Sequence, residues 1–237
     1  VQPLLVDALR GSSDEILHRL DRYRPWLAAA APVLDLGCGR GELLLMLREV
    51  GVAATGVEGD PALAAAARRR GLAVLEGDVL DVLAAQPAAS WGAVTAIHLA
   101  EHLEPARLLK LLEGVRRVLR PGGLLLVESP DPRSLVVGGS LFWLDPTHVR
   151  PLLPETLELL LEASGLEVRE RLALHPFEDA QRLPAVDPAE FARAPAGVAA
   201  LAARVDELRR RLDGLLHGTR DFAVLAVAPS GGDGDVG

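Results

Sequence analysis

Three side chains with complementary chemistry lie within the proline-rich stretch DPTHVRP, residues 145–151. They are the carboxylate of Asp145, the imidazole of His148 and the guanidinium of Arg150. Histidine is the side chain best suited to accept a proton near neutral pH, and a carboxylate can orient the imidazole for that task. The stretch therefore predicts a proton-transfer site in which His148 is the base and Asp145 orients it, while Arg150 positions an anionic group.

A second group of ionisable residues follows the apolar run at residues 91–97. His98, Glu101 and His102 have the spacing H-x-x-E-H, which some zinc peptidases carry on a helix. Here the first histidine ends a predicted buried strand, so the three side chains are not expected to share a helical face. We therefore expect no metal at this position, and His98 becomes a second, less favoured candidate for the base.

The DPTHVRP stretch belongs to a longer segment, residues 129–154, that contains five prolines and no long periodic pattern. A loop of this length in a compact domain is usually functional. Phe142 and Trp143 are adjacent within it, and flat aromatic faces suit sugar rings, although the pair would serve equally well as an apolar plug under the loop. Arg133 in this segment and Arg10 near the start of the sequence are further candidate contacts for an anionic acceptor.

Three glycines at alternate positions mark a turn between a predicted strand and a predicted helix. The sequence VLDLGCGRGE, residues 33–42, gives a short apolar run that contains Asp35, followed by glycines beginning at Gly37. Glycine permits positive φ and lets a ligand approach the backbone, and the following helix directs free N–H groups at the turn. The turn suits a nucleotide-like ligand, held around Asp35, Gly37, Cys38 and Gly39. Its G-x-G-x-G spacing differs from the G-x-G-x-x-G of dinucleotide-binding proteins.

Short apolar runs alternate with helical patterns along the chain, and the runs position the candidate side chains. The second predicted strand ends at Glu58, 21 residues after the first glycine, and Gly59 follows it. An acid at the carboxyl end of this strand can accept hydrogen bonds from the two ribose hydroxyls of an adenosine. The predicted strands are residues 32–36, 53–58, 72–76, 91–98, 124–128, 166–174 and 221–228.

The motif D-x-G-x-G-x-G at residues 35–41 closely resembles the first motif of class I S-adenosylmethionine-dependent methyltransferases. The segments EHL at 101–103 and LRPGG at 119–123 are also typical of that family. The resemblance covers about residues 33–175 and implies S-adenosylmethionine as the cofactor. It also implies a Rossmann-like α/β fold, with a seven-stranded, mainly parallel sheet, an antiparallel last strand and helices on both faces.

Several residue roles follow from the resemblance alone. Asp78 matches the position at which the family bonds the adenine amino group, and Val79 would lie against the adenine ring. His98 would line the methionine end of the cofactor, and His102 would flank the acceptor cleft.

The DPTHVRP stretch and the segment SPDP at 129–132 narrow the resemblance to methyltransferases of bacterial surface polysaccharide synthesis, including those that cap O-antigen chains. Those proteins carry D-P-T-H-x-x-P and T-P-N-P, and here Asp131 replaces the amide. The narrower resemblance implies methyl transfer to a sugar hydroxyl or a phosphate of a glycan. A small-molecule or natural-product O-methyltransferase is the alternative with the same site. A NAD-linked or non-catalytic nucleotide-binding module is the alternative of another class.

Composition restricts the other classes of protein. The 237 residues carry a net charge of −8, which argues against a general nucleic-acid binder. No apolar run reaches the roughly 18 residues that span a bilayer, and no basic and apolar leader opens the sequence. The single cysteine excludes an internal disulfide and fits a reducing compartment, so we expect a cytoplasmic location.

The pattern predicts one methyltransferase domain over residues 1–228, with a helical N-terminal lid at 1–31 and a helical insertion at 175–220 before the last strand. Residues 229–237 are rich in glycine and aspartate and are expected to be disordered. Within the insertion, leucines and valines at spacings of three and four predict an amphipathic helix over 198–216 with an arginine-rich outer face. This helix is expected to pack on its own domain, to cover the acceptor cleft or to form a homodimer.

Overall fold

A computed structural model describes residues 11–230, and a seven-stranded sheet lies at its centre. The order of the strands is β3-β2-β1-β4-β5-β7-β6. The pairs from β3 to β5 are parallel, and β7 runs antiparallel to both β5 and β6. This topology confirms the predicted Rossmann-like fold class. The strands are β1 (Val33–Leu36), β2 (Ala54–Glu58), β3 (Val74–Glu76), β4 (Trp91–Ile97), β5 (Leu119–Pro130), β6 (Glu167–Pro176) and β7 (Thr219–Val227).

Helices cover both faces of the sheet. They are α1 (Ser13–Leu20), α2 (Arg24–Ala29), α3 (Glu42–Glu49), α4 (Pro61–Arg69), α5 (Val79–Ala85), α6 (Pro105–Val118), α7 (Leu135–Gly139), α8 (Pro154–Ala163) and α9 (Ala196–Leu216). Helices α5, α6 and α8 pack on one face of the sheet, and α1, α2 and α3 pack on the other. Within residues 11–230, no helix combines the length and the apolar character needed to cross a membrane.

The N-terminal segment forms two helices joined by a single 3₁₀ turn. Ser12 and Glu15 form a capping box at the start of α1, because each side chain bonds the backbone N–H of the other. Tyr23 and Leu27 are fully buried, so α1 and α2 are anchored to the sheet. Arg10, a predicted acceptor contact, lies outside the described residues, as does most of the predicted disordered tail.

The predicted irregular loop at residues 129–154 contains more regular structure than expected. β5 continues to Pro130, α7 follows, and a 3₁₀ turn covers Leu141–Leu144. Asp131, which is almost fully buried, accepts hydrogen bonds from the backbone N–H and the guanidinium of Arg133 and from the hydroxyl of Thr219. These bonds hold the start of the segment against β7, so its backbone has one fixed path.

The exposure of α9 differs from the predicted one. Six of its seven large apolar side chains are 45–66% exposed, and Asp213 is its one buried residue. The arginine-rich face points outward as predicted, since the side chains of Arg210 and Arg211 are 60% and 74% exposed, but the apolar face, which was expected to be covered, is exposed as well. The exposed apolar side chains are Val198, Leu201, Val205, Leu208, Leu212 and Leu215.

The irregular chain that precedes α9 explains why the apolar face is exposed. Asp213 accepts a hydrogen bond from the backbone N–H of Leu183 at 3.0 Å, and Asp206 accepts one from Val186 at 3.5 Å. Arg209 donates to the carbonyl of Leu183 at 3.2 Å. Backbone groups outside helices and strands need partners, so the polar face of α9 supplies them and the apolar face is turned away.

Candidate active site

The glycine turn after β1 has the geometry that its sequence predicts. Gly37, Gly39 and Gly41 have φ values of +73°, +56° and +82°. A Cβ on Gly41 would lie 2.4 Å from the side chain of Leu72, so both space and backbone conformation require glycine there. Asp35 is buried at the end of β1, and one of its carboxylate oxygens accepts a hydrogen bond from the hydroxyl of Thr95 at 2.7 Å. The turn is therefore rigid and open to a ligand.

Glu58 joins the end of β2 to this turn. Its two carboxylate oxygens accept hydrogen bonds from the N–H groups of Gly39 and Asp60, both at 2.8 Å. Each oxygen keeps a further lone pair, so the carboxylate can also accept bonds from two ribose hydroxyls. Gly59 follows Glu58 and lies next to the carbonyl of Gly77.

Asp78 begins α5 at the carboxyl end of β3. It caps the helix by accepting a bond from the N–H of Leu80 at 2.9 Å, and it forms an ion pair with Arg107. Partial burial raises the pKa of Asp78, but these contacts outweigh that effect and lower it below the ordinary value. Val79 is buried in the core. The carboxylates of Asp78 and Glu58 thus stand at the ends of neighbouring strands, as the predicted adenosine site requires.

A cavity of about 340 Å³ opens beside the glycine turn, across the carboxyl ends of β1, β4 and β5. It gathers residues from predicted regions that are far apart in the sequence. The predicted site residues that line it are Asp35, Gly37, Cys38, His98, His102, Phe142, Asp145 and His148. Those that do not line it are Gly39, Glu58, Gly59, Asp78, Val79, Arg133, Trp143 and Arg150.

His148 is held in one orientation on the wall of the cavity. Its Nδ1 lies 2.6 Å from the carbonyl oxygen of Phe142, and its ring packs against the rings of Phe142 and His102 at centroid distances of 4.5 and 4.6 Å. A carbonyl only accepts hydrogen bonds, so Nδ1 carries the proton of the neutral ring. The lone pair is therefore on Nε2, which is the arrangement a general base needs.

Asp145 does not orient His148, which corrects the prediction. Its carboxylate accepts hydrogen bonds from the backbone N–H and the hydroxyl of Thr147, at 2.8 and 2.6 Å. An aspartate before a turn commonly bonds the backbone two residues on, and here that local bond takes the place of the longer-range one. Burial raises the pKa of Asp145, but the bonds from Thr147 outweigh it and lower the pKa below its usual range.

His98 lies on the floor of the cavity between carboxylates. Its Nδ1 is 3.1 Å from Glu101, and its Nε2 is 3.3 Å from Glu128 and 3.9 Å from Asp221. Burial alone would lower the pKa of His98, but the hydrogen bonds to Glu101 and Glu128 raise it to about 10. His98 is therefore cationic at neutral pH and cannot accept a proton there, so its prediction as an alternative base is wrong.

Four residues around His98 at the bottom of the cavity were missed by the sequence analysis. Tyr23 donates to Glu128, and His175 Nδ1 lies 2.7 Å from Asp221. Glu128 stands near the end of β5, just as Glu58 ends β2, so the strand pattern contained a signal for it. Nothing local links Tyr23, His175 or Asp221 to the site, because Tyr23 reaches Glu128 only when the N-terminal helices pack on the sheet, and His175 meets Asp221 only when β6 and β7 pair.

Of the other predicted acceptor contacts, Phe142 lines the cavity, whereas Trp143, Arg133 and Arg150 do not. Phe142 is buried behind His148 at 1% exposure, and Trp143 is 56% exposed but does not line the cavity. Phe142 is therefore an apolar plug and Trp143 lies on the outer surface, so the two rings do not form one flat face for a sugar ring. Arg133 is paired with Asp131, and Arg150 lies outside the cavity. Three other arginines line it: Arg19, Arg40 and Arg220.

Two groups of side chains have the spacing of metal ligands in residues 11–230. Glu101, His102 and His148 each offer one ligand atom within 4.8 Å of the others, and so do His98, Glu128 and Asp221. A cationic imidazole does not bind a metal, which argues against the second group. In the first group, the Glu101 carboxylate already accepts bonds from His98 and from Ser129.

Comparison with known proteins identifies the family. The family described as "Methyltransferase domain" matches residues 9–171, more than half of the chain. The crystal structure of an S-adenosylmethionine-dependent methyltransferase from Archaeoglobus fulgidus is 30% identical, with a TM-score of 0.86, and the match covers 94% of this chain and 98% of that one. The chain therefore belongs to the methyltransferase-domain family.

Two curated relatives match a shorter part of the chain. A Mycolicibacterium smegmatis protein named "Probable S-adenosylmethionine-dependent methyltransferase" is 32% identical over 148 residues, which are 62% of this chain and 56% of that protein. A ubiquinone biosynthesis O-methyltransferase of Xanthomonas oryzae is 33% identical over 137 residues, 54% of each. The chain thus spans about half the length of these relatives. Neither name refers to polysaccharides, so the narrower resemblance rests on the sequence motifs alone.

Proposed function

We propose that the chain transfers the methyl group of S-adenosylmethionine to a hydroxyl oxygen of a small acceptor, and that His148 accepts the hydroxyl proton. The observation that carries the proposal is the bond between His148 Nδ1 and the carbonyl of Phe142. It leaves the Nε2 lone pair available on a ring that lines the cavity beside the glycine turn. A neutral base in this position is needed for an alcohol or a phenol and is not needed for an already ionised acceptor.

The residues around the glycine turn fit the adenosine and methionine parts of S-adenosylmethionine. Glu58 has lone pairs for the ribose hydroxyls, Asp78 is the residue that the family resemblance assigns to the adenine amino group, and the open turn allows the ligand to approach the protein backbone closely. When bound, S-adenosylmethionine supplies an activated methyl group. The chain then contributes position, exclusion of water and the base.

Two kinds of acceptor agree with this chemistry. A small-molecule hydroxyl is favoured by the aliphatic upper wall, where Val137, Leu141 and Leu144 line the cavity, and by the name of the Xanthomonas relative. A sugar hydroxyl of a glycan is the second candidate, because Asp145 and His148 of the DPTHVRP stretch line the cavity. We also propose a cytoplasmic location, since Cys38 is the single cysteine and is buried as a free thiol.

The first experiment is calorimetric titration with S-adenosylhomocysteine, with NAD as the control ligand. We expect micromolar binding of S-adenosylhomocysteine and none of NAD, and the reverse result would refute the assignment. A radiolabelled S-adenosylmethionine assay against phenols and free sugars then identifies the acceptor. His148→Gln should lower kcat at least a hundredfold, while His18→Gln, an exposed histidine on α1, should not change it. Full activity of His148→Gln would refute the base.

We further propose that α9 joins two copies of the chain. Its exposed apolar residues follow spacings of three and four without interruption, which is the seam of a coiled coil. Six half-exposed side chains form a patch on the order of 500 Å², near the upper limit for a monomer. The neighbouring Arg210 and Arg211 are paired with Asp206 and Glu207 of the same helix, which limits their repulsion across a dimer.

Light scattering tests this arrangement directly. The double variant Leu201→Asp/Leu208→Asp should be monomeric under conditions in which the unmodified chain is dimeric. Leu159→Asp on α8 is the matched control, because that leucine is 67% exposed on another surface. A chain that is monomeric at every concentration, or a double variant that stays dimeric, would refute the role of α9.

A further inference from the structure

Arg220, at the start of β7, lines the cavity, and no carboxylate of residues 11–230 pairs with it. Its Nη2 donates to the side-chain carbonyl of Gln181 at 2.7 Å, and its guanidinium lies 4.9 Å from the centre of the Phe177 ring. Its Nε is buried and makes no hydrogen bond. Within residues 11–230, no carboxylate lies within ion-pair distance of this guanidinium. Among the described residues, Arg220 is therefore held by neutral groups.

A second unpartnered nitrogen lies on the neighbouring strand. The β6–β7 register pairs Leu174 with Asp221 and Pro176 with Thr219, so His175 stands opposite Arg220. The Nδ1 of His175 is 2.7 Å from Asp221, while its Nε2 is buried without a partner. Both residues line the cavity. Buried polar atoms are rarely left unsatisfied, so two of them at one end of a cavity indicate a bound group.

The nearby carboxylates of Glu128 and Asp221 do not serve as the bound group that Arg220 and His175 lack. Glu128 accepts a bond from Tyr23 and lies against His98, and Asp221 lies against His175. Both carboxylates therefore already have partners, whereas the guanidinium of Arg220 pairs with no carboxylate of residues 11–230. A partly buried cation without a counter-ion is unfavourable, and a guanidinium binds carboxylates and phosphates in preference to other groups.

We propose that Arg220 binds an anionic group of the acceptor, a carboxylate or a phosphate, with His175 beside it. The inference rests on the proposed methyl transfer and narrows its substrate class. The acceptor then carries two functions, a hydroxyl that meets His148 and an anion that meets Arg220. Binding at both points fixes the orientation of the hydroxyl relative to the methyl donor.

The carboxylate of the cofactor itself is the other candidate anion for Arg220. The strand order of the sheet separates Arg220 from the glycine turn, where the cofactor is expected to bind. The glycine turn follows β1, whereas Arg220 begins β7, three strands away in the order β1-β4-β5-β7. Neighbouring strands lie about 4.8 Å apart, so the separation is about 14 Å. Arg40 is part of the glycine turn and also lines the cavity, which makes it the nearer partner for the cofactor carboxylate.

Calorimetry on protein saturated with S-adenosylhomocysteine tests the inference, because the cofactor carboxylate is then already bound. The probes are 4-hydroxybenzoate, 4-hydroxyphenyl phosphate and the neutral 4-hydroxybenzamide. We expect at least one anion to bind at least tenfold more tightly than the amide. Arg220→Gln should remove this preference and Arg220→Lys should keep part of it. Arg169→Gln, a change on the solvent side of β6 with an arginine paired to Glu167, should keep all of it.

Each other result counts against the inference. Equal affinity for the three probes, no binding of any of them, or a preference that survives in Arg220→Gln would overturn it. A tenfold loss of S-adenosylhomocysteine affinity in Arg220→Gln, with probe preference unchanged, would assign Arg220 to the cofactor. Failure of the unmodified protein to bind S-adenosylhomocysteine would instead refute the proposed function itself. Unfolding curves of each variant show whether the fold is retained.

Discussion

The cation on the cavity floor makes the stability of the fold depend on pH in a way that can be calculated. His98 has a pKa raised to about 10 by Glu101 and Glu128, against about 6.5 in an unfolded chain. The difference of about 3.5 units corresponds to about 5 kcal/mol, since one unit is worth 1.36 kcal/mol. This stabilisation is fully present below pH 6.5 and is lost as the pH rises towards 10, so about 4 kcal/mol is present at pH 7.

We therefore predict that His98→Gln lowers the free energy of unfolding by about 3–5 kcal/mol at pH 6.5, within the range for breaking a buried ion pair. The difference between the two proteins should shrink by about 1.4 kcal/mol per pH unit between pH 7 and 9.5, because the folded protein holds one proton that the unfolded chain has released. Urea unfolding at four pH values measures both quantities. The buried Tyr23 and Cys38 are present in both proteins, so their titrations cancel in the difference.

The double variant His98→Gln/Glu101→Gln provides the control. It removes one of the carboxylates that the single variant leaves buried and unpaired, so it should be more stable than His98→Gln. Stability differences that stay constant from pH 6.5 to 9.5 would show that His98 is not cationic in the folded protein. That result would also refute the charges assigned to Glu101 and Glu128, which contact His98.

Three further predictions concern single positions. Gly41→Ala should destabilise the fold by about 2 kcal/mol in urea unfolding, because φ is +82° and a Cβ would lie 2.4 Å from Leu72; unchanged stability would contradict the described turn. Glu58→Gln should weaken S-adenosylhomocysteine binding at least tenfold in calorimetry, and equal affinity would place the ribose elsewhere. Asp131→Asn should lower the free energy of unfolding by about 1–3 kcal/mol, because it breaks the charged pair with Arg133; a neutral effect would show that this pair is not stabilising.

The sequence predicted those parts of the site that lie in single stretches of chain. The glycine turn is determined by backbone conformations that only glycine adopts readily, and Glu58 is determined by its place at a strand end. His148 was found because its residue type and its loop both suggest proton transfer. The hydrogen bond between His148 and Phe142 could not be predicted, because its acceptor is a backbone carbonyl and every residue has one.

The rest of the floor depends on contacts between distant segments. Glu128 and Asp221 are 93 positions apart, yet both lie within 4 Å of His98. Such contacts follow from strand order, which periodicity does not determine. The prediction that the apolar face of α9 is covered was wrong for a related reason. The spacing of Leu201 and Leu208 identifies an apolar face, but the unpaired backbone groups before α9 decide which face turns inward.

The position of β7 has a consequence for synthesis of the chain. β7 is the last of the seven strands to be translated, yet it lies between β5 and β6 and carries Arg220 and Asp221. A nascent chain that has emerged only as far as β6 therefore holds the glycine turn and Glu58 but leaves the edge of β5 unpaired, a state prone to association with other chains. The residues that fit the methyl donor, and His148 with them, are therefore complete on the ribosome before Arg220, which would bind the anionic group of the acceptor.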